Sequence, residues 1–421
     1  MTGAPLYAPQ WRLALDALTA VVRDGRAADR LLQRAFRDQP QMGGRDRRRV
    51  NDLLYGVLRD LRRLRRIAGS DVPADWLALH ALESGLTDAA GLHQLGVERA
   101  AVLAAALRGF DDARLTPAER GNVPDAIHAQ WQAQLGAVET LQLAEALRAQ
   151  ASVDLRVNTL KCTRAQALAA LRSAGFEAEP TPLAPHGLRL RKRAALQALP
   201  AFRDGWFEPQ DEGSQLLALL VAARPGERIV DWCAGAGGKT LALAAQMENR
   251  GALLALDADA RRLRDLPPRL VRAGVRCVTV QTLDAAEASR HEAAAARGAA
   301  TFDAVLVDAP CSGSGTWRRQ PEARLKPLDL AALAATQRQI LDRAATWVRP
   351  GGRLVYATCS LLRAENEAVV EAFLATHADF ELQDAGALLR TSGVELPGHY
   401  LQLYPHRHGT DGFFGAGLRR R

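Results

Sequence analysis

At 421 residues the chain is about two to three times the length of an ordinary domain, so more than one folding unit is expected. Hydrophobic residues at 48% and charged residues at 24% exclude wholesale disorder, and no apolar run reaches the roughly eighteen residues of a membrane span. The 55 basic and 47 acidic residues leave +8, an excess that suits a polyanionic partner such as nucleic acid without identifying one.

Residues 10–66 read as helices, because Leu13, Ala17 and Val21, then Leu53, Leu54, Val57, Leu58, Leu61 and Leu64, recur at steps of three and four. Between these runs, Gly43-Gly44-Arg45-Asp46-Arg47-Arg48-Arg49 is expected as a loop leading into a helix with a basic start. Ala- and Leu-rich helical segments continue past Pro73, Gly85, Pro117 and Pro124, so 1–148 is expected as one all-helical domain. Residues 155–159 and 188–190 then read as strands and 164–174 as a helix, a small α/β unit over 149–222. From 223 to 421 strands alternate with helices. The strands are expected at 228–232, 252–257, 276–281, 304–308 and 353–358, the helices at 238–247, 259–273 and 328–348. Short apolar strands in that alternation imply a doubly wound, mostly parallel sheet covered on both faces.

Charge divides the chain at similar places. Residues 1–66 carry 15 Arg, no Lys and 7 Asp, residues 67–150 carry 5 basic and 11 acidic residues, and residues 151–421 carry 35 and 29. Lys stands only at 161, 192, 239 and 326, and the flat fork of Arg suits phosphate. Arg47, Arg48 and Arg49 form the candidate phosphate-tracking cluster, with a solvated helix face as the plain alternative. Arg318, Arg319, Arg324 and Lys326 form a second, smaller basic set.

The strand at 228–232 runs into Cys233-Ala234-Gly235-Ala236-Gly237-Gly238-Lys239-Thr240 and then a helix. Glycines at such a turn let backbone N–H groups approach a ligand, and the helix start favours an anion. Cys233 stands where a P-loop needs its first glycine, and the pyrophosphate spacing of a dinucleotide site is not kept either. Asp257 ends the next strand, where a carboxylate can accept both hydroxyls of a ribose, and Asp284 follows the third, within reach of an adenine amino group. Turn and carboxylates in this order fit an adenosyl ligand, S-adenosylmethionine rather than a dinucleotide. Either Asp can instead cap a helix or end a strand in solvent.

The cysteines are 162, 233, 277, 311 and 359, an odd and widely spaced set that makes no disulfide framework and fits a reduced, cytoplasmic setting. With the nine His they show no metal-ligand spacing, so no metal is expected. Two stand out by position: Asp308-Ala309-Pro310-Cys311-Ser312 follows the fourth strand and Tyr356-Ala357-Thr358-Cys359-Ser360 the fifth. In a parallel sheet both strand ends lie on the edge that holds the glycine turn, so the two thiols should line one crevice. A lone free Cys is usually an inert hydrophobe. A pair beside an Asp points to covalent chemistry.

These three segments resemble the motifs of the Nop/Sun family, S-adenosylmethionine-dependent RNA methyltransferases acting at carbon 5 of cytosine. Further likenesses are Arg156-Val157-Asn158-Thr159, Gln210-Asp211-Glu212-Gly213-Ser214-Gln215, Arg318-Arg319-Gln320-Pro321-Glu322 and Thr410-Asp411-Gly412-Phe413-Phe414. Arg45-Asp46-Arg47 and Tyr55-Gly56-Val57-Leu58-Arg59 resemble the NusB-like helical domain of the family's bacterial ribosomal RNA enzymes. The resemblance implies a Rossmann-like class I methyltransferase domain at 223–421, an N1-type α/β subdomain at 149–222 and a NusB-like RNA-binding domain at 1–148, in a monomer. It implies S-adenosylmethionine held by Cys233, Ala234, Gly235, Ala236, Gly237, Gly238, Lys239, Asp257, Asp284 and Asp308. It makes Cys359 the nucleophile, Cys311 the residue that resolves the adduct and Asp308 a contact to the base, with RNA contacts at Arg47, Arg48, Arg49, Arg318 and Arg319. Gly235-Ala236 stands where most members have Ala-Pro, and Gln281-Thr282-Leu283-Asp284 is one residue longer than the usual Gln-Gly-Asp.

The chemistry suits the residues. Carbon 5 of cytosine is a poor nucleophile until a thiolate adds at carbon 6 and makes the ring enamine-like. The residues alone do not rank the two cysteines, because a Pro-Cys nucleophile also serves DNA cytosine methyltransferases. The NusB-like segment favours small-subunit ribosomal RNA. The alternatives are the same chemistry on transfer RNA and a catalytically weak RNA-binding assembly factor. A protein or small-molecule methyltransferase would need neither the paired cysteines nor the basic amino terminus.

Overall fold

Apolar residues three and four apart commit the amino-terminal part to helices: α1 (Ala8–Asp24), α2 (Ala28–Asp38), α3 (Gly44–Ala68), α4 (Pro73–Glu83), α5 (Ala89–Gln94), α6 (Ala100–Gly109), α7 (Pro117–Arg120), α8 (Asp125–Leu135) and α9 (Ala137–Arg148). The computed structural model describes residues 6–192, 195–283 and 302–421. In it, 1–150 together with 316–327 form one compact unit, and 151–315 with 328–421 a second. No helix among the described residues is long and apolar enough to cross a membrane.

In the first unit α3 buries Val50, Leu53, Leu54, Val57, Leu58, Leu61 and Leu64 and packs on α1 and α4. Each fully buried leucine is worth roughly 1.5–3 kcal/mol over an exposed one. Gly56 lets α4 lie this close, since a Cβ there would stand 2.0 Å from the His80 ring. The loop expected at 43–49 is instead the first turn of α3. Asp46 accepts the Gly43 N–H at 3.2 Å, and its charge favours the helix start, so Arg45 to Arg49 are helical.

Residues 316–327 complete this unit from far along the chain. The Trp317 ring packs on Trp131 at 5.6 Å, and Glu322 Oε1 accepts the Ala28 N–H that opens α2, at 3.0 Å. Arg324 is buried, with Nη1 donating to Asn122 O at 2.9 Å and Nη2 to Leu147 O at 3.2 Å.

The second unit holds two sheets. The smaller has the order β2-β3-β1-β4, from β1 (Val153–Val157), β2 (Ala178–Pro180), β3 (Gly187–Leu190) and β4 (Phe207–Pro209), with α10 (Arg164–Ser173) and α11 (Pro200–Arg203) between strands. All its pairings are antiparallel. Asn158, just past β1, donates from Nδ2 to Gly205 O and Ala273 O at 2.9 Å each, which fixes the strand end.

After α12 (Glu212–Leu220) come β5 (Arg228–Trp232), α13 (Gly238–Gln246), β6 (Ala252–Asp257), α14 (Ala260–Leu263), α15 (Leu266–Ala273) and β7 (Val278–Thr282). Then follow β8 (Phe302–Asp308), α16 (Leu330–Ala345), β9 (Val348–Thr358), α17 (Glu367–Thr376), β10 (Phe380–Gln383), α18 (Ala385–Arg390), β11 (Leu401–Leu403) and β12 (Phe413–Arg420). The larger sheet has the order β10-β12-β9-β8-β5-β6-β7, with β11 on β12. Strands β5 to β9 pair in parallel, and β5, β6, β8 and β9 carry the apolar runs of strands covered on both faces. The chain steps from β5 to β6 on one side and to β8 and β9 on the other, so the strand order switches between β5 and β8 and opens a crevice at their carboxyl ends.

Two expectations are corrected. The helix expected at 259–273 is two, because Pro267 and Pro268 fit only the first turn of α15. The antiparallel strands β10, β11 and β12 were not foreseen. β12 reads Phe-Phe-Gly-Ala-Gly-Leu-Arg-Arg, with glycine where α12 leans on the sheet: a Cβ at Gly415 would lie 2.7 Å from Leu217.

Candidate active site at the carboxyl edge of the sheet

The turn after β5 is built from left-handed residues: Cys233 at φ +65°, Gly235 at +54° and Gly237 at +80°. Gly237 admits no side chain, since its Cβ would meet Leu266 Cδ1 at 2.1 Å. A non-glycine residue in that region carries roughly 1–2 kcal/mol of strain, and such strain collects at functional sites. Burial, then the charges of Asp308 and Asp257, push the Cys233 thiol up, so it stays protonated.

Asp257, at the end of β6, is only 4% exposed and holds this turn in place. Its Oδ2 accepts the Gly235 N–H at 3.0 Å and faces Arg262 Nη1 at 3.1 Å, and its Oδ1 accepts the Asp259 N–H at 3.0 Å. A carboxylate has about four acceptor positions, so these three partners leave about one for a ligand. Asp231, within β5, is fully buried; Thr240 Oγ1 donates to its Oδ2 at 2.5 Å and its Oδ1 has no partner among the described residues. Burial pushes its carboxyl up to about 7, against the pull of the Thr240 hydroxyl.

Lys239, in the first turn of α13, reaches Asp308 at the end of β8, Nζ to Oδ2 2.7 Å. Burial opposes the ammonium charge, but the Asp308 carboxylate outweighs it and holds Lys239 above its ordinary range, with Asp231 and Cys359 adding in the same direction. Cys311 and Cys359, on the loops after β8 and β9, bring their sulfurs to 3.4 Å. The hydrogen bond to Cys359, then burial, then the charges at Cys359 and Glu365 hold Cys311 as a thiol well above the ordinary thiol range. The Glu365 charge thus acts on Cys311, a link between the two loops that the sequence did not offer.

The structure brings together Cys311 with Cys359, Lys239 with Asp308, and the 233–238 turn with Asp257. Asp284 lies outside the described residues. Among the expected RNA contacts, Arg47 and Arg318 are engaged within the protein. Arg47 donates from Nε to Met42 O at 2.9 Å and from Nη2 to Phe36 O at 3.3 Å, with its guanidinium over the Phe36 ring, so it ties α2 to α3. Arg318 is 6% exposed and has little surface to offer a phosphate. Arg48 is exposed, and Arg49 and Arg319 are half-buried. The sequence reading missed Glu365, Gln337 and Asn366, whose polar atoms meet the cysteine loops; none of them stands in a spacing that marks a site.

A family model described as 16S rRNA methyltransferase RsmB/F matches residues 218–419, and one for an RsmF/B-like ferredoxin-like domain matches 123–197. The ribosomal RNA small subunit methyltransferase B of Erwinia tasmaniensis is 31% identical over 440 residues, covering 96% of this chain and 97% of that one. The protein of the same name from Xylella fastidiosa is 34% identical over 436 residues, at 96% and 99% coverage. Among solved structures, PH0851 aligns with a TM-score of 0.77 at 24% identity, over 99% of this chain and 100% of that one. A methyltransferase homologue protein from Pyrococcus horikoshii aligns with a TM-score of 0.61 at 29% identity, over 74% and 100%. The helical amino-terminal unit, the Rossmann-like sheet and full-length identity at this level agree: the chain belongs to the RsmB/F branch of the Nop/Sun methyltransferases, the family of 16S rRNA methyltransferases.

Proposed function

We propose that this protein methylates carbon 5 of a cytosine in small-subunit ribosomal RNA, with S-adenosylmethionine as donor, Cys359 as covalent nucleophile and Cys311 as the thiol that resolves the adduct. The observation that carries this reading is the 3.4 Å approach of the two sulfurs on the strand edge that also bears the glycine turn and the Lys239–Asp308 pair. The turn suits an adenosyl group, because left-handed Gly235 and Gly237 keep side chains off the end of β5 and Asp257 fixes the turn's shape. When bound, S-adenosylmethionine supplies an electrophilic methyl on a sulfonium. Cys233, Ala234, Gly235, Ala236, Gly237, Gly238, Lys239, Asp257 and Asp308 are the residues proposed to hold it.

Cys359 is proposed to react as its thiolate. The Cys359 sulfur adds to carbon 6 of the cytosine, and the double-bond pair moves to carbon 5, which becomes the nucleophile. Asp308, beside both loops, is proposed to contact the ring as this charge develops. Once carbon 5 carries the methyl, its proton passes to a base, the double bond re-forms and the sulfur–carbon pair returns to Cys359. The S–H of Cys311 then stabilises the departing thiolate. Arg48, Arg49 and Arg319 are the remaining proposed RNA contacts.

Cys359→Ala should abolish methyl transfer and leave no adduct, whereas Cys311→Ala should accumulate a denaturant-resistant protein–RNA adduct on gels. The opposite pattern would exchange the two roles. Bisulfite sequencing of ribosomal and transfer RNA from a deletion strain tests the substrate: a methyl lost from transfer RNA alone would move the reading there, and none lost would sink it.

A further inference from the structure

We infer that Glu365 is a positioning residue for the reaction: one buried carboxylate grips the residue after each cysteine and holds Cys311 as the hydrogen-bond donor to Cys359. This rests on the cytosine-methylation reading above. Glu365 sits in the short turn after β9 and is 0% exposed. Its Oε1 accepts the backbone N–H of Ser312, next to Cys311, at 2.8 Å. Its Oε2 accepts the Ser360 hydroxyl, next to Cys359, at 2.5 Å. Gln337 on α16 completes the clamp, donating from Nε2 to Glu365 Oε1 and to Pro310 O at 3.0 Å each, so the residues on both sides of Cys311 are fixed.

The rest of the network is local and neutral. Ser360 Oγ accepts the Leu362 N–H at 3.1 Å and lies 3.3 Å from Ser312 Oγ, while Gly315 N–H donates to Cys359 O at 2.9 Å. Each of the three groups on the carboxylate is a donor, the pattern an ionised acid satisfies and a protonated one would break. A fixed anion on the Cys311 side of the sulfur pair disfavours a second thiolate there, which leaves the shared proton on Cys311. The titratable groups around Cys311 are Cys359, Glu365 and the buried phenol of Tyr356, whose hydroxyl donates to Glu365 O at 2.6 Å.

Glu365→Gln removes the charge at nearly constant shape, and Glu365→Asp keeps the charge but shortens the reach. Methyl transfer by the full chain is measured together with iodoacetamide labelling of each cysteine against pH, read by peptide mass. In Glu365→Gln, kcat per folded molecule should fall about 10- to 100-fold with KM for RNA within about twofold, and Cys311 should label about tenfold faster at fixed pH. In Glu365→Asp, kcat should fall while Cys311 labelling stays as in the wild type. If Glu365→Gln does not fold, Ser360→Ala tests the clamp without touching charge and should also lower kcat alone. A folded Glu365→Gln with wild-type kcat and labelling overturns the inference, as does a variant that loses only thermal stability. Failure of the parent reading looks different: wild-type protein would then form no 5-methylcytosine, or Cys359→Ala would remain active.

Discussion

Asp231 is a buried carboxyl whose cost of ionisation is visible in stability. Its folded value of about 7 lies above the ordinary 3.8, so the folded state binds a proton that the unfolded state has lost between those limits. The stabilising contribution is therefore complete below about pH 4 and disappears as pH rises through 7. Asp231→Asn keeps an acceptor for the Thr240 hydroxyl and cannot ionise. Its stability relative to the wild type should improve from pH 4 to pH 8 by on the order of 4 kcal/mol at most, seen as a flatter melting temperature against pH. Parallel curves would mean that Asp231 does not hold its proton in the fold. At this scale the two cysteines and the glycine turn were legible, because strand-end position alone aims them at one edge. Glu365 was not, because its partners are a backbone N–H and a hydroxyl on loops that the sequence separates by 48 residues.

The segment 316–327 shows why an element can be misread while its residues are read correctly. Arg324 reads as part of a second basic set, but its guanidinium lies among carbonyls of the helical unit and against the Trp317 ring. Backbone carbonyls leave no trace in side-chain chemistry, so a buried Arg that closes two helix ends and a solvated one read alike. The same limit hid β12, where Gly415 admits α12 and Gly417 admits Leu388 of α18, whereas β5, β6, β8 and β9 announced themselves through apolar runs. Burial pushes Arg324 down to about 9, so its charge is costly as well as useful. Arg324→Ala should destabilise the first unit by about 2–4 kcal/mol in urea unfolding, from lost packing and two orphaned carbonyls. Arg324→Lys should recover only part, because a single ammonium cannot span both carbonyls. A midpoint unchanged in either variant would show that the segment does not brace the helices.

Over the whole molecule the excess of +8 equals the net charge of residues 1–66, yet the fold redistributes it. The end of α3 is neutralised within its own unit by the acidic stretch that follows: Arg62 meets Asp125 at 2.9 Å, Arg63 meets Asp112 at 2.8 Å and Arg66 meets Glu119 at 3.5 Å. Exposed arginines remain on α1 and just after it (Arg12, Arg23 and Arg26), on α2 (Arg30, Arg34 and Arg37) and at the head of α3 (Arg45 and Arg48). Arg30, Arg34 and Arg37 fall on one face of α2 by helical spacing. The Arg34–Asp38 approach of 3.8 Å is too exposed to hold that side chain. We propose this face as a surface that tracks phosphate. Each lost phosphate contact lowers the slope of log affinity against log salt by about 0.7–0.9. Replacing Arg30, Arg34 and Arg37 by Ala should thus weaken RNA binding and flatten that slope by about 2–3. Replacing Arg62, Arg63 and Arg66 should leave the slope alone and lower stability instead. Equal effects on the slope from both triplets would show that charge acts through the whole unit, and no effect from the α2 triplet would leave that face an ordinary solvated one.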